Sequence, residues 1–81
     1  MDKKEIQQRH VLHHFGLHGA IQAGGFANNL IKTIILADTP NRNKLIKEFP
    51  EYVKMVIAIQ TGSGIENYPI LENAVMEDRD Q

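Results

Sequence analysis

No cysteine occurs anywhere in the 81 residues, and for a chain this short that is the tightest constraint on what it can fold into. A domain of this length buries only a modest core. Small domains usually compensate with disulfides or a thiolate-bound metal, and neither can form here. Good helix packing or a partner subunit is left to supply stability. Thiol catalysis, Fe–S clusters and cysteine zinc fingers are excluded on the same ground. No apolar run approaches the length of a membrane span, so no membrane partner is expected. Met1-Asp2-Lys3-Lys4-Glu5 leads into polar sequence, so a secretory leader is not expected either.

The formal charge of −1 conceals a division. Residues 1–60 hold eight basic and five acidic residues, a net of +3, whereas residues 61–81 hold Arg79 against Glu66, Glu72, Glu77, Asp78 and Asp80, a net of −4. The bland reading is a solvated acidic tail; the sharper one is a tail that docks on a basic surface. Lysines 32, 44, 47 and 54 are dispersed and not interleaved with aromatics, which argues against binding duplex nucleic acid.

Hydrophobic periodicity predicts an all-α fold, a small bundle of three to five short helices that is oligomeric. A first helix is expected from Asp2 to Phe15, with Asp2 as N-cap, Glu5 in capping-box position, and Ile6, His10, His13 and Leu17 along its apolar face, widened by Val11 and Leu12. The next stretch, residues 16–25, holds four glycines. Gly16, Ala20 and Gly24 lie four apart, as do Gly19, Ala23 and Ala27, and in a helix they would form a smooth face for close backbone approach. A helix that breaks near Gly24-Gly25 is expected, although each interior glycine costs up to about 1 kcal/mol.

Residues 26–37 carry a broad apolar face. Phe26, Leu30, Ile34 and Ala37 form its centre, with Ala27, Ile31 and Ile35 beside them, which predicts the central core helix. Thr39 as N-cap with Pro40 in the first turn predicts the next helix, carrying Leu45, Ile46 and Phe49. Phe49-Pro50 should end it and open another, stopped by Gly62-Ser63-Gly64. The β-branched run at 53–59 would suit a buried strand, but the proline start and glycine stop favour helix. Ile65, Tyr68, Ile70, Leu71, Val75 and Met76 are expected to pack on the body. One helical domain is expected over residues 1–77, with a disordered acidic tail at 78–81.

The chemistry-bearing groups are few. On a continuous helix His10, His14 and His18 would stack at i, i+4 and i+8, a spacing at which pairs chelate metal. No carboxylate stands between them, and the ordinary reading is a polar or interfacial helix face, so no metal or other cofactor is expected. Gly24-Gly25 lacks the lysine of a phosphate loop and the spacing of a dinucleotide fingerprint. It would still leave free N–H groups at a helix start. Gly24, Gly25, Phe26, Asn28 and Asn29 are therefore the candidate ligand-binding residues, with a tight helix crossing as the alternative. Gly16, Ala20, Ala23, Ala27, Leu30 and Ile34 are the candidate self-association interface. The single serine, Ser63, lies outside any nucleophile elbow, and Glu48 with Glu51 reads as helix-start electrostatics, so no enzyme is expected.

The residues Gly24-Gly25-Phe26, Leu30, Ile34, Ala37-Asp38, Asn41, Lys44-Leu45 and Phe49-Pro50-Glu51-Tyr52-Val53 resemble a pattern in small uncharacterised proteins of phages and prophages. The resemblance covers residues 24–53. It implies a setting, the cytoplasm of a bacterial host, and no mechanism. In that setting the expected role is a non-enzymatic accessory or anti-defence factor that occupies a host protein. An oligomeric sponge for a small nucleotide signal, with pockets between subunits, is the alternative, and a structural assembly component is a further one.

Overall fold

The computed structural model describes residues 1–71. Four α-helices follow one another: α1 (Lys3–His14), α2 (Gly25–Leu36), α3 (Thr39–Glu48) and α4 (Pro50–Thr61). A 3-10 helix, Ile65–Asn67, comes after them, and no strand occurs among the described residues. The all-helical class and the number of short helices agree with the periodicity. Val75, Met76 and the acidic tail at 78–81 lie outside the described residues.

Each helix has a visible local cause. The Asp2 side chain accepts from the Glu5 N–H at 2.8 Å, satisfying one of the orphan donors of α1. The other half of a capping box is not made, because Glu5 turns instead to the Arg9 Nε at 3.1 Å. Asp38, not Thr39, caps α3: its carboxylate accepts from the Asn41 N–H at 3.0 Å, and Thr39 becomes the first helical residue. Aspartate and threonine are both good caps, so the spacing placed the start within one residue. Pro50 opens α4 as expected, and Gly62 ends it in the left-handed region at φ 80°. The β-branched run at 53–59 is helix.

Helix α4 is the hub. It packs against α1, α2 and α3, and α1 also packs against α2. Contact on three sides explains why α4 buries Tyr52, Val53, Met55, Val56 and Ala58 around much of its circumference. The neighbours each contribute a narrower stripe: Val11 and Leu12 from α1, and Ala27, Ile31 and Ile34 from α2. Tyr68 and Leu71 close the core from the chain beyond α4, and Ile65 and Ile70 pack against it. Helix α3 buries no residue completely; Leu45 and Ile46 reach the core only in part.

Two expectations are corrected here. Residues 16–24 are not helical. Gly16 and Gly19 adopt φ of 68° and 85°, conformations that interrupt a right-handed helix, so α1 ends at His14. The stretch doubles back along α1 instead, tied by the Leu17 N–H to the Leu12 carbonyl at 2.9 Å and the Ile21 N–H to the Arg9 carbonyl at 3.2 Å. The Arg9 Nη1 completes the tie by donating to the Gly19 carbonyl at 2.7 Å. The second correction concerns α2. Its buried stripe is Ala27, Ile31 and Ile34, not the row through Phe26, Leu30 and Ala37. In α1 the expected Val11 and Leu12 are buried, whereas His13 is exposed and Leu17 lies beyond the helix.

Candidate functional site

Helix α2 turns Ala27, Ile31 and Ile34 inward, packs Leu30 and Ile35 partly against the core, and leaves Phe26 and Leu36 outside. Phe26 is 73% exposed and Leu36 79% exposed, one near each end of the same helix, with half-buried Leu30 between them. The two stand at opposite ends of α2, about 15 Å apart along its axis, as two separate exposed apolar side chains. Phe26 leans on Phe49 at the α3–α4 junction, ring centroids 6.3 Å apart and planes tilted by 59°.

Helices α2 and α3 both lean on α4 but make little direct contact with each other. The gap between them is an open groove of about 500 Å³, lined by Thr33, Leu36, Ala37, Asn41, Lys44 and Leu45. Its wall is largely apolar, and Lys44 brings an exposed cation. Arg42 fixes the width of the turn end. Its Nε donates to the Ile34 carbonyl at 3.1 Å and its Nη2 to the Ile35 carbonyl at 3.3 Å, placing a cation on the C-terminal carbonyls of α2. The same Nη2 reaches the Gln60 side-chain oxygen at 2.7 Å. Arg42 thereby ties α2, α3 and α4 together at the end where the groove lies.

The sequence-predicted interface does not form one surface. Gly16, Ala20 and Ala23 belong to the loop, whereas Ala27 and Ile34 are buried in the chain's own core. Leu30, the sixth, is half-buried and packs against that core. The small-residue ladder required a helix that positive φ at Gly16 and Gly19 prevents. Phe26 was singled out for a ligand and Leu36 was not singled out at all. The signal for both was present in the helical wheel: once 27, 31 and 34 are taken as the buried row, 26 and 36 fall outside it.

The candidate ligand residues Gly24, Gly25, Phe26, Asn28 and Asn29 do come together at the exposed start of α2. Gly24 is the N-cap, and no side chain caps the helix. Asn28 is engaged: its Oδ1 lies 3.1 Å from the His14 Nδ1, linking the end of α1 to the start of α2. A Cβ added at Gly24 or Gly25 would meet nothing within 4 Å, so no close packing requires either glycine.

The histidines separate. His10 and His14 are on α1, and His18 follows the turn that ends it. The straight i, i+4, i+8 stack is therefore lost after its second member. No group of three or more His, Cys, Asp or Glu side chains is placed to hold a metal ion among the described residues. The His10 Nδ1 is buried with no hydrogen-bond partner among the described residues.

Two tyrosines face the core. Burial raises the Tyr52 phenol above its ordinary value. Burial raises that of Tyr68 as well, reinforced by the negative charge of Glu51. Both are neutral phenols at physiological pH, suited to packing and hydrogen bonding. No described helix is long and apolar enough to cross a membrane. Comparison of the chain with family models, with curated proteins and with solved structures returns no match.

Proposed function

We propose that the protein is a non-enzymatic, self-associating binding protein that works by occupying a partner protein through the α2–α3 face. One observation carries this reading: Leu36, 79% exposed, lines an open, mostly apolar groove, and Phe26, 73% exposed, stands at the other end of the same helix. Burying such side chains is favourable at about 1.5–3 kcal/mol each. A handful of central apolar anchors is enough to dominate an interface. The resemblance of residues 24–53 to small phage-type proteins supports a host protein as the partner and a bacterial host cell as the setting.

The experiment is capture from host lysate with the whole chain and with Leu36→Glu in parallel, alongside sedimentation of each alone. A partner captured by the parent and lost by Leu36→Glu supports the reading. Capture that is indifferent to Leu36 and Phe26 counts against it. Self-association in sedimentation with no captured partner points to the assembly component. The sponge is favoured by one observation, the uncapped start of α2 beside Asn29. A melting temperature raised by cyclic di- or oligonucleotides would select it, since a ligand bound well below its concentration raises stability.

A further inference from the structure

A second cavity lies on the opposite flank of α4, away from the α2–α3 groove. It measures about 270 Å³ and is lined by Lys54, Ile57, Ser63, Gly64, Asn67 and Tyr68. The chain builds it by reversing direction. Gly62 ends α4 at φ 80° and Gly64 follows at φ 77°, and the two left-handed residues turn the segment so that the 3-10 helix runs back beside α4. Tyr68 then packs into the core and its ring becomes one wall.

The polar groups around this cavity share one property. Lys54 carries an ammonium, Ser63 a hydroxyl, Asn67 a carboxamide and Tyr68 a phenol, and none of these side chains is hydrogen-bonded or ion-paired to another described residue. The Gly64 N–H likewise has no acceptor among the described residues. All five can donate, Lys54 and the Gly64 N–H only so, while Ser63, Asn67 and Tyr68 can also accept. Among the described residues no carboxylate lines the cavity. Glu51, whose charge reaches Tyr68, is held at 2.9 Å by the Gln8 side-chain amide. Ile57 gives the cavity an apolar wall. Polar groups without a partner among the described residues, set on an apolar wall, are the combination that ligand sites use, and the volume suits a ligand at the small end of the range.

We propose that this cavity binds a small phosphate-bearing ligand, with the Lys54 ammonium as counter-charge and Ser63, Asn67 and the Gly64 N–H as donors to the phosphate oxygens. A phosphate offers several acceptor oxygens and negative charge, which complements a wall where one ammonium and four further groups can donate. The cavity exceeds the volume of the phosphate alone, and Ile57 suits a short carbon body attached to it. The site is independent of the α2–α3 face, so either can fail without the other.

The test is an amide-resolved NMR titration of the whole chain with inorganic phosphate at constant pH and ionic strength, chloride being the counter-ion control. The expected result is a saturable shift of the amides of residues 62–68, with a midpoint on the order of 1 mM for the bare ion. Lys54→Gln should raise the midpoint about tenfold, since it removes a charge-assisted contact. Ser63→Ala should raise it by about threefold. Lys44→Gln, on the other groove, should leave it unchanged. Lys54 and Ser63 are both exposed, so neither change threatens the fold. Shifts that never saturate, that ignore Lys54→Gln, or that move residues 25–27 at the start of α2 first would overturn the proposal. So would acetate saturating the same amides at a lower concentration, because that assigns the site to a planar carboxylate.

Discussion

The Arg42 Nη2 donates to the Gln60 side-chain oxygen across 2.7 Å, joining the first half of α3 to the last turn of α4. The same side chain caps the α2 carbonyls, so three helices meet on one guanidinium. Arg42→Met keeps the aliphatic stem and removes the donors. It should lower stability by about 1–3 kcal/mol, and Gln60→Ala by about 1 kcal/mol or less. Denaturant melts of both single variants and the double variant test this. A double variant no less stable than Arg42→Met alone would show that the Gln60 contribution runs through Arg42.

The apolar face of α2 predicts a separation between folding and binding. Leu36→Glu and Phe26→Asp alter exposed side chains and should change stability by no more than about 0.5 kcal/mol. Both should abolish self-association or partner capture. Ile31→Ala, one helical turn away but fully buried, should do the reverse and cost about 2–5 kcal/mol. Circular dichroism melts with sedimentation velocity distinguish the two classes. Equal loss of stability in all three variants would mean that Phe26 and Leu36 belong to the fold and not to a docking face.

The glycines divide by backbone angle. Gly25 is the first residue of α2, and a Cβ there meets nothing. Gly25→Ala should therefore stabilise the protein by about 0.4–1 kcal/mol. Gly19, at φ 85°, would place a Cβ 3.3 Å from the Arg9 guanidinium, so Gly19→Ala should destabilise it by about 1 kcal/mol or more. Melting temperatures that move in opposite directions support the assignment of residues 16–24 as a folded-back loop. A rise for both would favour the helical reading of that stretch.

Tyr52 and Tyr68 set an alkaline limit. Each phenol is raised in the folded state above its ordinary value of 10.0. The contribution of this shift to stability is fully present below that value and is lost as pH climbs above it, because the unfolded chain releases its phenolic protons first. Stability should be flat in this respect through neutral pH and fall beyond pH 10. Ultraviolet titration of the folded protein should show both tyrosines ionising later than free tyrosine. Phe replacement of either should remove part of the alkaline loss.

Much of the fold was legible because its punctuation is local. Asp2, Pro40, Pro50 and Gly62 each act on backbone groups within a turn of themselves, so helix starts and stops could be placed from sequence. The rotation of each helix about its axis was harder. Phe26 and Ile34 are both apolar and close to one face, and only the position of α4 decides that Ile34 goes in and Phe26 stays out. The loop at 16–24 was missed because the four-residue spacing of glycine and alanine mimics a helical ladder. The deciding facts are long-range: Arg9 reaching the Gly19 carbonyl and the Ile21 N–H reaching Arg9. The α2–α3 groove was invisible for the same reason, since it is a space between elements and no residue pattern encodes it. The small-residue ladder was lost with the loop, and the exposure of Phe26 and Leu36 could be identified only after the buried row of α2 was known.

The place of α4 at the hub also bears on how the chain is made. Synthesis runs from the N-terminus, so α1, α2 and α3 leave the ribosome before the helix they pack on. Until Thr61 has emerged, Val11, Leu12, Ile31 and Ile34 have no completed partner surface. The apolar stripes of α1, α2 and α3 therefore stay partly open until α4 has been made, and the core closes only when that fourth helix arrives.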